Sequence, residues 1–229
     1  MIKWDLLPES FKNEGVKEYY ELLDNKKISL FLKRIFDIIV ATVLLIVLSP
    51  IFLIIAVWIK LDSKGPVFYR QERITQYGRI FRIFKFRTMV VNADKIGSLV
   101  TVGQDSRITK VGHKIRKCRL DEIPQLFNIL VGDMTFVGTR PEVKKYVDCY
   151  TDEMMATLLL PAGVTSLASI TYKDEDEIME KHTSSGESVD DAYVKYVLPN
   201  KMKYNLEYLK SFSFFGDIKL MFDTLFSVL

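Results

Sequence analysis

One apolar segment near the start of the chain dominates its hydrophobic pattern. Residues Ile38 to Ile59 hold no charged side chain over 22 positions, which is the length of a membrane span. Residues 1–32 instead mix apolar positions such as Phe11 and Leu23 with charges, and predict one or two amphipathic helices. Such helices either lie on a membrane or pack on the folded domain, and the pattern is compatible with both.

A Ser49-Pro50 pair lies near the middle of the apolar segment. A continuous transmembrane helix with a tolerated proline is the plain interpretation. A break is also favoured, because proline lacks an amide donor and disfavours helical geometry at the residue before it. The Ser49 hydroxyl can satisfy a carbonyl freed there, and basic residues (Lys33 and Lys60) flank both ends, as expected when both lie on the cytoplasmic side. The arm from Ile35 to Leu48 would span about 21 Å, enough to enter one leaflet and return.

Shorter elements follow the apolar segment. Residues 67–72 and 79–87 predict two strands joined by a turn near Gln76. The other predicted elements are a short helix within 93–104, a helix carrying Arg116, a helix over 122–130 with Pro124 in its first turn, a turn at 161–165, a helix over 189–209 and a C-terminal helix starting near Asp217. The aromatic C-terminal helix suits either a core or a membrane interface. The predicted fold class is α+β and mainly helical.

Charge is distributed unevenly, although the net charge is only +3. From Lys60 to Arg87 eight lysines and arginines face two acids, and from Glu142 to Asp191 twelve acids face four lysines. The basic block adjoins the apolar segment, which suits anionic headgroups or a pyrophosphate, although an ordinary solvated face also explains it. The acidic block is typical of solvated surface.

Composition limits the domain organisation and the kinds of chemistry that the chain can support. The 229 residues are enough for one compact domain. The two cysteines, Cys118 and Cys149, have no metal-binding spacing and fit a reducing compartment, and the two histidines lie too far apart to support zinc or Ser-His chemistry. Residues 1–27 are polar and amphipathic, so we expect no cleavable signal.

Asp121 and Glu122 are the strongest candidates for chemistry. They follow the basic run 114–119, and Arg140 comes later in a Gly-Thr-Arg-Pro sequence. A carboxylate can attack phosphorus or hold a divalent cation, while arginines neutralise phosphate oxygens with forked donors. Taken alone, an Asp-Glu pair is more typical of a solvated helix start, so the interpretation depends on the surrounding sequence.

That sequence, from Arg116 to Pro141, closely resembles the signature of the bacterial sugar transferase family, the monotopic phosphoglycosyl transferases. Three more stretches resemble the same family: Lys33 to Asp37, the Ser49-Pro50 pair, and Phe84 to Met89. The four motifs occur in the family's order and at similar spacing, and they cover the chain densely from Lys33 to Pro141.

The resemblance implies transfer of a sugar phosphate from a nucleotide diphosphate sugar, which we expect to be a UDP-sugar, to polyprenol phosphate, with Mg²⁺ as cofactor. It implies that Asp121 is the nucleophile, forming a phosphosugar-aspartyl intermediate, and a ligand of the metal. Glu122 would orient the site or act as a base. The expected substrate-binding residues are Arg116, Arg140, Lys85 and Arg87.

The resemblance also implies a re-entrant helix-break-helix, with its membrane break at Ser49 and Pro50. The expected organisation is an N-terminal amphipathic extension (1–32), a re-entrant membrane helix (33–62) and a cytoplasmic catalytic domain with interfacial helices (63–229). We expect it at the bacterial inner membrane, facing the cytoplasm, with the lipid bilayer and both substrates as partners. A homodimer is compatible with this organisation, and no nucleic acid partner is expected.

Two departures from the family leave the sugar open. Thr139 stands where a proline is usual, and 166–172 lacks the usual glycine and tryptophan-glutamine pair. The donor is therefore either a hexose phosphate or an N-acetylated amino sugar phosphate. Two other classes compete. A membrane-anchored scaffold leaves the Asp-Glu and Arg-Pro motifs unexplained, and a nucleic-acid binder, suggested by the aromatics within 79–87, conflicts with the uncharged segment.

Overall fold

The computed structural model describes residues 1–96, 105–172 and 174–228. In these ranges the helices are α1 Glu14–Asp24, α2 Lys27–Asp62, α3 Ala93–Ile96, α4 Lys110–Lys117, α5 Gln125–Val131, α6 Lys144–Val147, α7 Leu167–Thr171, α8 Glu175–Ser184, α9 Val189–Ala192, α10 Leu198–Ser211 and α11 Phe214–Val228. The strands are β1 Phe68–Ile74, β2 Ile80–Phe86, β3 Met134–Val137 and β4 Ala162–Thr165. A π-helical stretch, Tyr193–Val197, joins α9 to α10. The predicted mainly helical α+β class is confirmed. The short helix predicted within 93–104 is α3, and 97–104 lie outside the described residues.

The two predicted strands form an antiparallel hairpin, β1–β2, with Phe68 opposite Phe86 and Ile74 opposite Ile80. Its turn uses positive φ at Tyr77 (60°), the left-handed conformation that short turns require. The prediction of this hairpin is confirmed.

The second sheet pairs β3 with β4 in parallel, with Met134 opposite Ala162. The predicted turn at 161–165 is wrong, because Ala162–Thr165 is a strand. Gly163 lies so close to Gly138 that a Cβ on it would be 2.3 Å from the Gly138 amide nitrogen. Proline and glycine signal a turn locally, but here glycine permits close backbone approach between distant segments.

Helix α2 runs for 36 residues and continues through Pro50. Among the described residues it is the one helix long and apolar enough to cross a membrane, with a mean hydropathy of 3.1 over its best 18-residue window. Pro50 offers no amide to the Ile46 carbonyl, and the Ser49 hydroxyl donates to that same carbonyl at 2.8 Å. The Ser49 hydroxyl thus satisfies the carbonyl that the sequence predicted it would satisfy. The predicted break at Ser49 and Pro50 does not appear as an interruption, because α2 stays helical through both residues. The helix also begins at Lys27, before the predicted boundary at 33.

Polar side chains hold the arm of α2 before Pro50 against the domain. Lys33 is buried, donates to the Val137 carbonyl at 2.7 Å and forms an ion pair with Asp217 of α11. Asp37, also buried, accepts a hydrogen bond from the Thr135 hydroxyl at 2.6 Å. These contacts attach this arm to β3 and α11.

The arm after Pro50 is attached to the same domain. Ile55 and Ile59 pack in a buried cluster with Phe86. Near the end of the helix, Asp62 accepts a hydrogen bond from the Val111 amide of α4 at 3.1 Å. Both arms of α2 therefore contact one domain, on either side of Pro50.

The N-terminal segment packs on the domain. Val16, Tyr19 and Leu23 of α1 are fully buried in the main core, together with Leu159 and Phe212. This contact decides between the two placements that the sequence left open. The last residues of the predicted extension, 27–32, belong to α2.

Helix α11 has one buried and one exposed face. Asp217 in its first turn is buried against Lys33. The exposed face carries Phe215, Phe222 and Phe226, whose exposed fractions are 79%, 57% and 76%. An exposed aromatic face on a terminal helix is typical of a helix that contacts another apolar phase.

Candidate active site

A reversal of the chain after α4 positions Asp121. Thr109 caps α4, since its hydroxyl accepts from the Gly112 amide at 3.0 Å. After α4 ends, Arg119 adopts a left-handed φ of 54°, and the chain enters a 3₁₀ turn, Leu120–Glu122. Asp121 is only 7% exposed in this turn.

The helix predicted over 122–130 begins later, because α5 starts at Gln125 and Pro124 is its N-cap. Both carboxylates therefore lie in the turn before the helix. Proline suits this position, since its missing amide has no partner to lose there.

Glu122 lies between two cations from different elements. Its Oε1 accepts from Lys85 Nζ of β2 at 2.9 Å and from Arg140 Nη2, beyond β3, at 2.8 Å. Arg140 also donates to the Val164 carbonyl of β4 at 3.1 Å. Burial raises the pKa of Glu122, but Arg140 and Lys85 together outweigh burial and hold that pKa well below its usual range. Glu122 thus fixes Lys85, which lies near Asp121, and links Arg140 to the same turn.

Asp121 has a different electrostatic environment. Burial and the neighbouring negative charge of Glu122 raise the pKa of this carboxyl, although Lys85 and Arg116 lower it. Burial likewise lowers the pKa of Lys85, although Glu122 opposes that shift. A poorly solvated carboxylate is suited to attack an electrophile such as a phosphate. The nearby cations offset the negative charge of that electrophile and so allow the two groups to approach.

Asp121 lines a cavity of about 440 Å³. The basic residues in the described lining are Arg70, Arg73, Lys85, Arg87, Arg107 and Arg116, and Asp121 is the one acid among them. This volume lies within the range of small-molecule sites. A cavity with many guanidiniums and a single carboxylate suits a ligand with several phosphate charges.

Arg87 lies in the cavity wall, but its donors point to the end of α2. Its guanidinium donates to the Lys64 carbonyl at 2.6 Å and to the Ser63 carbonyl at 2.8 Å, while its Nε is buried without a partner among the described residues. Gly65 lies against it, and a Cβ there would come within 1.9 Å of Nη1. Arg87 therefore joins α2 to the end of β2, and phosphate binding by Arg87 stays a prediction.

The structure brings most of the predicted site residues together. Arg116, half-buried near the end of α4, lines the cavity with Lys85 and Asp121. Arg140 lies outside the cavity lining, with its side chain one-third exposed, and reaches the group through Glu122. The two membrane-break residues lie apart from this group, on the exposed part of α2.

Sequence reasoning missed a residue that positions the site. Asn128 is buried, accepts from the Phe84 amide at 2.8 Å and donates to the Arg82 carbonyl at 3.0 Å. The Asn128 side chain thus hydrogen-bonds to the backbone of β2 as a neighbouring strand would. Phe84, one of its two partners, directly precedes Lys85 in β2. The available signal was a polar residue at an apolar-periodic position of a predicted helix.

Arg107 was also missed as a cavity residue. Its guanidinium lies against the Asp105 carboxylate, with Nη2 at 2.6 Å, and donates to the Ala93 carbonyl at 2.8 Å. No local pattern distinguishes this arginine from a surface residue, because its place in the cavity depends on the packing of distant segments.

The residues fit a magnesium site to which the described part of the protein supplies few ligands. In 1–96, 105–172 and 174–228, no group of three or more histidine, cysteine or acidic side chains could hold a metal. Asp121 supplies one carboxylate, whereas both oxygens of Glu122 face Arg140. Magnesium is commonly held by one or two carboxylates, with water and substrate phosphates completing its shell. Asp121 together with a pyrophosphate matches that pattern.

Comparison with known proteins matches residues 28–229 to the bacterial sugar transferases. The chain belongs to this family, and the resemblance seen in the sequence is confirmed. The UDP-N-acetylgalactosamine-undecaprenyl-phosphate N-acetylgalactosaminephosphotransferase of Aeromonas hydrophila is 35% identical over 202 residues, which cover 87% of this chain and 44% of that protein. The UDP-glucose:undecaprenyl-phosphate glucose-1-phosphate transferase of Klebsiella pneumoniae is 36% identical over 205 residues, covering 87% and 40%.

The chain spans less than half the length of these two relatives. A shorter relative, the uncharacterized sugar transferase EpsL of Bacillus subtilis, is 33% identical over 200 residues, covering 87% of this chain and 88% of that protein. The similarity therefore lies in a unit that also occurs without the additional length of the larger proteins.

Proposed function

We propose that this protein transfers a sugar phosphate from a UDP-sugar to a polyprenol phosphate at the cytoplasmic face of the bacterial inner membrane. The observation that carries this proposal is Asp121, the one acid in the described lining of a cavity with six basic residues. The two longer relatives are named for undecaprenyl-phosphate and a UDP-sugar, which supports these substrate classes. Because those names carry different sugars, the donor sugar stays open between a hexose and an N-acetylated amino sugar.

The proposed transfer has two displacements at phosphorus. An Asp121 oxygen bonds to the phosphorus that bears the sugar, and the bond to the bridging oxygen breaks, releasing UMP and leaving a phosphosugar on the aspartate. A phosphate oxygen of the acceptor then attacks that phosphorus, and the bond to Asp121 breaks. The products are polyprenyl-diphosphate-sugar and the free carboxylate, with no net proton transfer.

Basic residues would offset the charge that moves in these steps. Lys85 and Arg116 flank Asp121, and Glu122 holds Lys85 and Arg140 in a fixed arrangement. Guanidinium and ammonium groups fixed before the reaction stabilise developing phosphate charge without reorganising. We assign Glu122 this positioning role, because its acceptors are already occupied by two cations.

Magnesium is the proposed cofactor, held by Asp121 and the donor pyrophosphate. When bound, it would neutralise charge on the leaving phosphate. Asp121 and the basic cavity around it orient the pyrophosphate for that contact.

For α2 we propose a re-entrant arrangement, supported by the contacts of its two arms. A crossing helix would place its ends on opposite sides of a hydrocarbon core about 30 Å thick. Lys33 and Asp37 before Pro50, and Asp62 after it, all bind the same domain. A polar domain lies on one side of a bilayer, so two arms leaving the membrane on that side account for these contacts.

Exposed apolar and aromatic groups support contact with the bilayer. Helix α11, which exposes Phe215 and Phe226, packs against α2, since the ring centres of Phe36 and Phe214 are 5.8 Å apart. Where α2 leaves the apolar segment, Lys114 lies 5.4 Å from the ring centre of Trp58, which is 39% exposed. Tryptophan and lysine together are typical of the headgroup level.

The test is a panel of UDP-sugars, with polyprenol phosphate in detergent micelles. We expect UMP release and a lipid-linked sugar diphosphate with one donor class, and UMP yield equal to lipid product. Absence of both products with every donor would refute the proposal.

A further inference from the structure

Five phenylalanine rings form a continuous path between α2 and the cavity. Phe52 of α2 contacts Phe86 of β2, with ring centres 5.3 Å apart, and Phe127 of α5, at 6.0 Å. Phe127 in turn contacts Phe84 at 5.7 Å, and Phe68 stacks on Phe86 at 5.5 Å. We call these five residues the aromatic path.

One end of the aromatic path lies at the apolar face of α2. Phe52 comes two residues after Pro50, and the next residues, Leu53 and Ile54, are 68% and 64% exposed. The other end lies in the cavity wall, where Phe68 and Phe86 line the same space as Asp121. Ring contacts therefore connect the exposed face of α2 to the wall of the cavity that holds Asp121, with Phe86 buried and the other four rings at least partly exposed.

Basic side chains lie at the cavity end. The Arg70 guanidinium is 3.6 Å from the ring centre of Phe84, and Arg70 also lines the cavity. Lys85 lies between Phe84 and Phe86 in β2 and reaches the Asp-Glu pair. A row of partly exposed aromatic rings with basic side chains at one end matches a lipid with an apolar chain and a phosphate headgroup.

We propose that the aromatic path binds the isoprenoid chain of the lipid acceptor and directs its phosphate toward Asp121. The inference rests on the proposed function and extends it by locating the acceptor. Aromatic faces contact an unsaturated hydrocarbon chain in many registers, so a chain can move in from the bilayer along the path.

Core packing explains the buried part of the path but not its exposed part. Phe86 is 1% exposed and belongs to the cluster of Ile55 and Ile59. Phe127 is 39% exposed at the point where the path meets α2. A large apolar ring left exposed beside a membrane helix has a natural partner in a lipid chain. Phe127 is therefore the residue to change.

The first experiment compares undecaprenyl phosphate with geranyl phosphate as acceptor for Phe127→Ala. We expect the KM for undecaprenyl phosphate to rise about tenfold, since loss of one aromatic contact weakens binding by that order. The KM for geranyl phosphate, whose short chain ends near the cavity, should change little. The phosphosugar adduct formed from donor alone should be unchanged.

Phe215→Ala is the matched control, because Phe215 is 79% exposed on α11 and lies outside the path. It should leave the dependence on acceptor chain length as in the wild type. If Phe127→Ala does not fold, Phe127→Leu replaces it, because leucine keeps most of the bulk but not the ring. We expect this variant to raise the KM for undecaprenyl phosphate by a smaller factor. An unchanged KM, an equal rise for both acceptors, or the same chain-length effect in Phe215→Ala would overturn the proposal.

A second measurement does not depend on turnover. A polyprenyl phosphate carrying a benzophenone in its chain should crosslink to peptides containing Phe52 or Phe127. Crosslinks confined to α11, or to the arm of α2 before Pro50, would overturn the path. Wild-type enzyme that crosslinks at the path but forms no adduct with any donor would refute the proposed transfer and leave the path standing, so the two failures are distinguishable.

Discussion

At the scale of single residues, Asp121 and Glu122 are chain neighbours with opposite surroundings. Glu122 accepts from Lys85 and Arg140, and its pKa is held low, whereas burial raises the pKa of Asp121. The 3₁₀ turn separates their directions, so one carboxylate lines the cavity and the other fixes the cations. This difference supports the two proposed roles, Asp121 as the nucleophile and Glu122 as the residue that positions the cations.

We expect Asp121→Asn to abolish transfer with the fold retained, because an amide offers no oxyanion to attack phosphorus. Mass spectrometry of enzyme and donor should show a phosphosugar adduct on the wild type and none on the variant. Circular dichroism checks the fold. Undiminished turnover by Asp121→Asn would refute the assignment of the nucleophile.

For Glu122→Gln we expect lower stability as well as slow turnover, because Lys85 and Arg140 lose their shared anion. Loss of hydrogen bonds to a charged group should cost about 2 kcal/mol. Glu72→Gln is the control, since its ion pair with Arg82 is more than half exposed at both partners and should contribute little. Thermal unfolding in detergent measures both, and equal shifts would contradict the role given to Glu122.

At the scale of elements, α2 accommodates Pro50 within a continuous helix by using Ser49 to satisfy the Ile46 carbonyl. The same helix is attached to the domain at both arms. Its proposed re-entry therefore depends on two local features, the proline pair and the polar anchors of each arm.

Replacing the pair by Ser49→Ala and Pro50→Leu should favour a spanning helix, since about 20 apolar residues suffice to cross. Lys3→Cys and Lys203→Cys, both at exposed sites, report topology in a background where the exposed Cys118 and Cys149 are changed to serine. In intact cells with the wild-type pair, an impermeant maleimide should label neither cysteine. In the double variant it should label the cysteine at position 3. Labelling of just one site in the wild-type background would exclude re-entry.

Asp190 of α9 hydrogen-bonds to two residues of α6, and the contribution of these bonds to stability should depend on pH. Hydrogen bonds from Lys145 and then Tyr146 lower the pKa of this carboxyl. A lowered pKa in the folded state stabilises the fold above the ordinary aspartate pKa of about 3.9, and that stabilisation is lost as the pH falls toward the lower value. Asp190→Asn should therefore lower the melting temperature by a few degrees at neutral pH. The difference should disappear in acid, and a difference independent of pH would contradict this assignment.

At the scale of the whole molecule, the cavity joins segments far apart in sequence. β1, β2, the turn carrying Asp121 and the segment up to Ala93 all contribute to its lining. Helix α2 lies next to it through Phe52 and Ile55. The cavity and the apolar helix are therefore adjacent, as the proposed transfer between a charged donor and a membrane lipid requires.

Removal of magnesium should stop turnover, because a pyrophosphate donor beside a carboxylate needs its charge offset. Turnover should be lost in excess chelator and restored by added magnesium. Circular dichroism should be unchanged, since no described group of side chains forms a structural metal site. Full activity in excess chelator would contradict the proposal.

Features that depend on local order were predicted correctly from the amino-acid sequence. Three such features follow from residues that are close together in the sequence: the uncharged segment, the β1–β2 hairpin, and the acid pair next to basic residues. Short-range periodicity and turn chemistry suffice for such elements. The family also followed from ordered motifs, and the comparison confirms it.

Features that depend on distant partners became visible in the folded chain. Pairing of β3 with β4 requires two backbones to meet at Gly138 and Gly163, where the local signal predicts a turn. The burial of Lys33 depends on Asp217, and the strand-like role of Asn128 depends on β2. A buried polar group is stable only when its partner is present, and that partner is chosen by packing across the chain rather than by neighbours in sequence.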